Sequence, residues 1–345
     1  MTTIGPEVFI KCTSLISVGD LSSVTSIGSS AFNGCTSLTS VGNLSNVTSI
    51  RNNVFDGCTS LVSVGDLSNV TSIGNSAFSG CTSLTSVGDL SSATSIGSSA
   101  FRNCKIERLN LTNKLTIIGD EAFRLCTSLI SVGDLSSATS IGSSAFNGCT
   151  SLTSVGDLSN VTSIRNNVFD GCTSLVSVGD LSNVTSIGGY AFRNCKIENI
   201  NLTNKLNTIG IQAFTGCSSL VSVGDLSGVT DIGGSAFSGC SSLVSVGDLS
   251  SAITIGQNAF INCTSLTKLD FSVLESIGMQ ALIDSGLTTL IIRTNTVCTI
   301  STAYNGHRFM ENCILYVPDN LVDSYKTTEG WSAYPDNIKP LSEYV

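Results

Sequence analysis

The sequence has little histidine, little charge and no long apolar run. It contains one His and one Trp in 345 residues, and only 12% of its residues are charged. A single His leaves most acid–base and zinc chemistries without their usual side chain. No apolar stretch approaches the roughly 18 residues that a membrane-spanning helix requires. Low charge together with 41% hydrophobic residues also excludes intrinsic disorder, which needs high charge and few apolar groups.

The charge that is present is mostly negative. There are 25 acidic and 16 basic residues, which gives a net charge of −9. Nucleic acid is therefore not expected as a partner, because its phosphates attract basic surfaces.

What the sequence has in excess is regularity. Successive Cys residues recur at gaps of 22 or 23 residues: Cys12, Cys35, Cys58, Cys81, Cys104, Cys126, Cys149, Cys172, Cys195, Cys217, Cys240 and Cys263. A fixed period in the twenties indicates a solenoid, in which each repeat forms one rung and buries its apolar residues against its neighbours.

Within one rung, the apolar residues lie three apart. The rung from Cys35 carries Leu38, Val41, Leu44, Val47 and Ile50, followed by Val54 and Phe55. This is neither the alternation of a strand nor a sustained helical stripe. It predicts short extended segments, a first strand from Leu38 to Leu44 and a second piece from Val47 to Ile50. The Phe-x-x-Cys spacing predicts one helical or 3-10 turn.

The unit L-x-x-V-x-x-L-x-x-V-x-x-I-G-x-x-A-F-x-x-C resembles the BspA-like, or Treponema pallidum-type, leucine-rich repeat over about residues 3–313. The two 22-residue rungs are nearest to the usual pattern, for example Ile106, Leu109 and Leu111. In the 23-residue rungs, V-G-D-L places one extra residue between apolar positions, which predicts a bulge at Gly-Asp. We therefore expect a repeat solenoid, a leucine-rich-repeat-like stack of 22–23-residue rungs with short parallel strands and short 3-10 or helical turns.

The composition changes near residue 299, which predicts a C-terminal cap. Three of the four Pro, five of the six Tyr and the single Trp lie beyond that point. We expect one solenoid domain, residues 1–313, with about 12–13 rungs and an incomplete first rung, and a cap at 314–345. In the cap, Asp319 is expected to N-cap a short helix, and Trp331 and Tyr334 to cover the open end of the core. No secretory signal precedes the first rung, and entry into that rung midway predicts a shortened chain or an unusual coding start.

The recurring Cys residues allow three interpretations. Each follows a Phe by three residues and is expected to point into the core, where a free Cys acts as a small hydrophobe. We favour free buried thiols over disulfides between adjacent rungs and over a metal site. The spacing of Cys298, His307 and Cys313 matches no familiar zinc motif. No metal, cofactor or catalytic residue is expected.

A column of acidic residues is one candidate binding site. The position between the second and third apolar residues holds Asp in nine rungs and Asn in three. Carboxylates stacked about 5 Å apart repel by about 1 kcal/mol even in water, which indicates a use such as binding cations or cationic ligands. The interpretation that we favour is that these side chains accept hydrogen bonds from the amides of a turn, because Asn substitutes without a compensating charge. The candidate binding column consists of Asp66, Asp89, Asp134, Asp157, Asp180, Asp225 and Asp248.

Two charged patches are further candidate sites. The 22-residue rungs carry Lys105, Glu107 and Arg108 in the first and Lys196 and Glu198 in the second. Two similar patches would suit a partner that repeats. The alternative is that interspersed charge keeps a Ser-rich protein soluble.

These features predict a non-enzymatic cell-surface recognition or adhesion protein that presents an extended repeat face to protein or glycan partners. The family resemblance implies adhesion to a host matrix or to neighbouring cells, and therefore a cell-surface or secreted location. The alternative is a structural spacer or fibre segment of a surface or phage assembly, with end-to-end self-association. Near-identical blocks, residues 18–74 and 132–188, favour that alternative.

Overall fold

A computed structural model of the chain describes residues 2–303 and 308–344. The chain divides into two compact units, Met1–Asp180 and Leu181–Val345, here called unit 1 and unit 2. Each unit is a parallel β-solenoid with a spacing of about 23 residues and little helix, as the Cys period predicted.

The strands are short, and most of them have two residues. Unit 1 contains β1 Thr3–Ile4, β2 Ser26–Ile27, β3 Ser49–Ile50, β4 Ser72–Ile73, β5 Ser95–Ile96, β6 Arg108–Leu111, β7 Ile117–Ile118, β8 Ser131–Gly133, β9 Ser140–Ile141, β10 Ser154–Val155, β11 Ser163–Ile164 and β12 Ser177–Val178. Unit 2 contains β13 Ser186–Ile187, β14 Asn199–Leu202, β15 Thr208–Ile209, β16 Ser222–Gly224, β17 Asp231–Ile232, β18 Thr254–Ile255, β19 Lys268–Phe271, β20 Ser276–Ile277, β21 Thr289–Ile292, β22 Thr299–Ile300, β23 Ile314–Val317 and β24 Ile338–Pro340. Unit 2 also contains helix α1 Val322–Thr327 and 3-10 turns at Arg308–Asn312, Asp319–Leu321, Pro335–Asn337 and Leu341–Glu343.

The Ser-Ile strands of successive rungs pair in parallel and in register. In unit 1 they form a sheet in the order β1-β2-β3-β4-β5-β7-β9, and Ile4 pairs with Ile27, which pairs with Ile50. The Ser-Ile and equivalent strands of unit 2 follow the same rule, with Ile187 paired to Ile209 and Ile209 to Ile232. The buried Ile of one rung therefore lies beside the buried Ile of the next.

The expected strand from Leu38 to Leu44 is wrong. In that rung Ser40 forms isolated bridges to the neighbouring rungs instead. Four-residue strands occur in the 22-residue rungs, as β6 and β14. Each pairs with the following 23-residue rung through a register shift, but the extra residue between the paired positions lies on β6 and β14, and not at Gly-Asp of the 23-residue rung as predicted. On β6 two residues, Leu109 and Asn110, lie between the paired positions, whereas Val132 alone lies between them on β8. This mismatch interrupts the ladder, because a bulged residue is left unpaired.

Phe rings form the centre of each core. In unit 1 consecutive rings from Phe9 to Phe169 stack with centroids 5.2–5.6 Å apart and interplanar angles of 3–16°. In unit 2 the rings from Phe192 to Phe260 stack in the same way, 5.3–5.4 Å apart. Most of these rings are fully buried, so each rung depends on its neighbours for its apolar burial.

The Phe-x-x-Cys turn has the predicted short-range hydrogen bond. In the rung that ends at Cys149, its N–H donates to the Phe146 carbonyl over 3.0 Å. Ser144 (φ 58°) and Gly148 (φ 73°) are both left-handed, so the turn does not continue as a helix. Between them the Phe146 N–H donates to Val168 of the next rung over 2.9 Å.

The C-terminal residues of unit 2 cover its core in a different way from that predicted. Tyr325 and Trp331 are fully buried and contact each other edge to face, 5.6 Å apart. The Trp331 indole N–H donates to the Cys298 carbonyl over 2.7 Å, and Tyr334 stays partly exposed. The prediction that Asp319 N-caps a helix is wrong, because Leu321 precedes α1 and caps no amide with its side chain.

Candidate functional site

The members of the candidate binding column are exposed, and most of them close a turn. The Asp66 carboxylate accepts the Ser68 N–H over 2.8 Å and the Ser68 hydroxyl over 3.1 Å. Asn43 accepts the Ser45 N–H over 2.9 Å in the same way. The turn interpretation is therefore confirmed for these rungs, and a ligand-binding role of the column stays a prediction. The same bond to the amide two residues ahead is made by Asp89, Asp134, Asp157, Asp225 and Asp248, and Asp180 is also exposed.

Hydrogen bonding lowers the pKa of two members of the wider column. The Ser22 hydroxyl and amide hold the pKa of the Asp20 carboxyl below its ordinary value, and the Ser136 amide and hydroxyl do so for Asp134. A carboxyl whose pKa is lower in the folded state stabilises the fold above its unfolded pKa. That contribution is therefore present at neutral pH and is lost as the pH falls below about 4.

Replacing Asp66 by Ala is expected to lower the free energy of unfolding by about 1 kcal/mol, because the Ser68 amide loses its acceptor. Asp66→Asn should change it by a few tenths of a kcal/mol at most, since Asn43 makes the same bond. Urea denaturation followed by circular dichroism measures both values. An equal loss in the two variants would show that the charge, and not the hydrogen bond, stabilises the turn.

Three positions of the sequence column do not form this turn. Asn110 lies on β6, Asn201 on β14 and Asp270 on β19. Asp270 instead accepts two hydrogen bonds from the Arg293 guanidinium, from Nε and Nη2, each 2.9 Å long. The column is therefore not one uniform row of carboxylates.

Both charged patches lie at the start of a four-residue strand, each within its own unit. Lys105, Glu107 and Arg108 are exposed beside β6, while Leu109 and Leu111 of that strand are buried. The Ile130 N–H of the next rung donates to the Glu107 carbonyl over 2.8 Å. Hydrogen bonds to the next rung therefore fix the backbone from which the side chains of this patch project.

The second patch has the same surroundings in unit 2. Lys196 and Glu198 are exposed next to β14. The Val221 N–H donates to the Glu198 carbonyl over 2.7 Å. The two patches are thus equivalent positions of two rungs, as the sequence predicted, and their role in binding stays a prediction.

Sequence reasoning missed a mixed aromatic and charged group in unit 2. We call it the terminal-sheet cluster, and it consists of Lys268, Asp270, Arg293, Tyr316 and Tyr344. The Lys268 ammonium lies 5.2 Å from the centroid of the Tyr344 ring, and the Tyr316 and Tyr344 rings meet edge to face at 5.0 Å. The enrichment of Tyr beyond residue 299 is the sequence signal for this cluster, but the same enrichment also predicts a cap.

The repeat unit and its stacking decide the family. The profile of the BspA type leucine-rich repeat region, with six copies, matches residues 2–130, 63–176 and 185–311. The chain belongs to the BspA-type leucine-rich repeat family. No curated protein sequence matches it.

Solved structures of other leucine-rich repeat proteins share this fold. A leucine-rich repeat protein from Bacteroides ovatus is 26% identical, and the match covers 99% of this chain and 87% of that one with a TM-score of 0.66. A leucine-rich cell surface protein from Faecalibacterium prausnitzii is 25% identical, with 89% and 85% covered and a TM-score of 0.51.

The Cys residues of this BspA-type chain are free thiols. In successive rungs the Sγ–H donates to the carbonyl of the preceding rung's Phe, for example from Cys58 to Phe32 over 3.1 Å and from Cys126 to Phe101 over 3.0 Å. Burial raises the pKa of the Cys126 thiol to about 12. The prediction of burial fails for Cys12, which is exposed.

Thiol titration should separate these two classes. At pH 8 one thiol, that of Cys12, is expected to react rapidly with a disulfide reagent in the native protein, and thirteen more only after denaturation. The reason is that the thiolate is the reactive form, and burial disfavours it. Cys12→Ser should abolish the rapid phase. A second rapid thiol in the native protein would contradict the buried arrangement.

No group of three or more His, Cys, Asp or Glu residues in the described part of the chain is arranged to hold a metal ion. His307 lies outside the described residues. No helix within 2–303 or 308–344 is long and apolar enough to cross a membrane.

Proposed function

We propose that this chain is a non-enzymatic cell-surface recognition protein that binds protein or glycan partners through the outward side of its strands. The observation that carries this proposal is the alternation along β6 and β14. In both strands every second side chain is buried, and those between are exposed. The exposed side chains have no part in the core and are free to vary with the partner.

The sequence varies on that surface in the way that recognition requires. The 23-residue rung that begins at Cys81 carries Thr85 and Ser86 at the positions where the first patch carries Glu107 and Arg108. The core residues beside them change only between aliphatic types. A neighbour in fold, from Faecalibacterium prausnitzii, is a cell surface protein, which supports a cell-surface location. The role proposed there is adhesion through the exposed side chains of the strands.

A binding panel of immobilised matrix proteins and glycans tests the proposal. The triple variant Lys105→Thr, Glu107→Thr, Arg108→Ser gives the patch the side chains that residues 82–86 carry at the same positions. We expect it to weaken binding of the captured partner about tenfold, because charge-assisted hydrogen bonds are lost. The control is Lys114→Ser, an exposed residue away from β6. Absence of any partner on the panel, or equal loss in the control, would contradict the proposal.

A structural spacer or fibre segment is the second candidate, and one observation favours it. Unit 1 has an apolar depression of about 330 Å³ lined by Ile4, Val8, Phe9, Leu21 and Val24. A second copy that packed against it would bury these side chains and give end-to-end association. Light scattering should then show a mass that rises with concentration, and Val8→Lys should abolish the rise. A monomer at all concentrations would contradict this candidate.

A further inference from the structure

The last sheet of unit 2 presents a row of side chains unlike any repeat rung. Its strands pair in the order β19-β21-β23-β24, and the residues next to one another in register on the outward row are Asp270, Ile291, Tyr316 and Lys339. Lys268 precedes Asp270 by two residues and shares its side of the sheet. With Arg293, this surface carries three cations and one anion in a chain whose net charge is −9.

The C-terminal residues hold an aromatic ring against this row. Tyr344 contacts Lys268 on β19 and Tyr316 on β23, so it lies over β21 between them. Ile291 on β21 is fully buried although it belongs to the outward row. The Asp319 carboxylate accepts the Ser342 N–H over 3.1 Å and fixes the segment that carries this ring.

A depression of about 230 Å³ adjoins the terminal-sheet cluster. It exists because the rung before β19 presents small residues, Ser245 and Gly247, beside the long side chains of Lys268 and Asp270. Its volume is below the roughly 300 Å³ at which sites for drug-sized ligands begin. It therefore suits one ring of a longer ligand.

Several hydrogen-bonding groups around the depression have no partner among the described residues. Asp270 engages Nε and Nη2 of Arg293 and leaves Nη1 unpaired. The Lys268 ammonium contacts the face of the Tyr344 ring but no acceptor. Both cations thus retain donors for a ligand carboxylate, and the Asp270 oxygens retain lone pairs for a hydroxyl.

We infer that the terminal-sheet cluster binds an acidic sugar of the uronate type. The ring occupies the depression beside Lys268 and Asp270, and Tyr344 holds the Lys268 side chain in position. Its carboxylate accepts hydrogen bonds from Lys268 and Arg293, and a hydroxyl donates to Asp270. An acidic sugar matches both the positive charge and the depression of about 230 Å³ beside it, whereas an acidic peptide matches only the charge. This assignment rests on the proposed recognition function and names its ligand class.

Calorimetric titration of the full chain with tetragalacturonate tests the inference. Lys268→Gln and Tyr344→Leu are each expected to raise the Kd about tenfold, and both residues are at least partly exposed, so the fold should persist. The control is Lys205→Gln, an exposed cation outside the cluster, which should leave the Kd unchanged. Maltotetraose tests for a neutral sugar, and tetraglutamate tests for an acidic peptide.

Four results would overturn the assignment. They are the absence of tetragalacturonate binding, equal binding of maltotetraose, tighter binding of tetraglutamate, and an unchanged Kd in both cluster variants. If a partner from the panel bound Lys268→Gln as tightly as the unaltered chain while tetragalacturonate did not bind, the recognition function would stand and the uronate assignment would fail. If the panel captured no partner and tetragalacturonate did not bind, both the recognition function and the uronate assignment would be contradicted.

Discussion

Replacing Phe123 by Ala is expected to lower the free energy of unfolding by about 3–5 kcal/mol. The ring is fully buried and lies between Phe101 at 5.5 Å and Phe146 at 5.3 Å. Its removal leaves a cavity that neither neighbour can fill, because each is held by its own rung. The stacked rings also lose their mutual attraction, which adds to the loss of apolar burial.

Guanidinium denaturation followed by circular dichroism measures this loss, with Phe9→Ala as the matched control. Phe9 is only partly buried and stacks on a single ring, Phe32, at 5.2 Å. Its replacement should cost less than about 2 kcal/mol, because less apolar area returns to water. If the two variants lost the same stability, the position of a ring within the stack would not matter.

Gly133→Ala is expected to destabilise the chain by about 2–4 kcal/mol. Gly133 has a φ of +87°, and a Cβ there would lie 2.4 Å from the Leu111 carbonyl oxygen and 2.7 Å from its nitrogen. The left-handed backbone and the contact with the preceding rung both oppose a side chain. Both arise at the register shift between β6 and β8.

The same motif one rung later supplies the control. Gly156 follows Ser154-Val155 as Gly133 follows Ser131-Val132, but its φ is not left-handed and the nearest atom to an added Cβ is 3.8 Å away. Gly156→Ala should therefore leave stability unchanged or raise it by up to about 1 kcal/mol. Thermal unfolding of the two variants measures the difference. Equal destabilisation would mean that the motif, and not the register shift, requires glycine.

The parts of the fold that depend on one rung and its neighbour could be predicted from the sequence. The Cys period gave the solenoid, and the Phe-x-x-Cys spacing placed Phe55 and Cys58 in the core, where both are fully buried. The acceptor role of Asp66 followed from the exchange of Asp and Asn. Each of these features repeats, so many rungs report on the same local geometry.

Two of the three parts that failed depend on contacts that do not repeat. The exception is the strand expected from Leu38 to Leu44, which assumed that ladder pairing follows apolar spacing, whereas Ser40 of that segment forms single bridges to the neighbouring rungs. The terminal-sheet cluster joins Lys268 to Tyr344, and no spacing in the sequence connects residues so far apart. Asp319 was assigned to a helix it precedes, but its carboxylate binds Ser342 instead.

The free thiols impose an order of events on the biogenesis of this protein. Once the rungs have stacked, thirteen of the fourteen thiols are buried and a disulfide reagent cannot reach them. Before that, every thiol of the extended chain is reactive at its ordinary pKa, and disulfide formation takes seconds to hours. In an oxidising compartment, stacking must therefore outpace oxidation. Slow folding there would trap mispaired cysteines along a chain whose native state contains no disulfide.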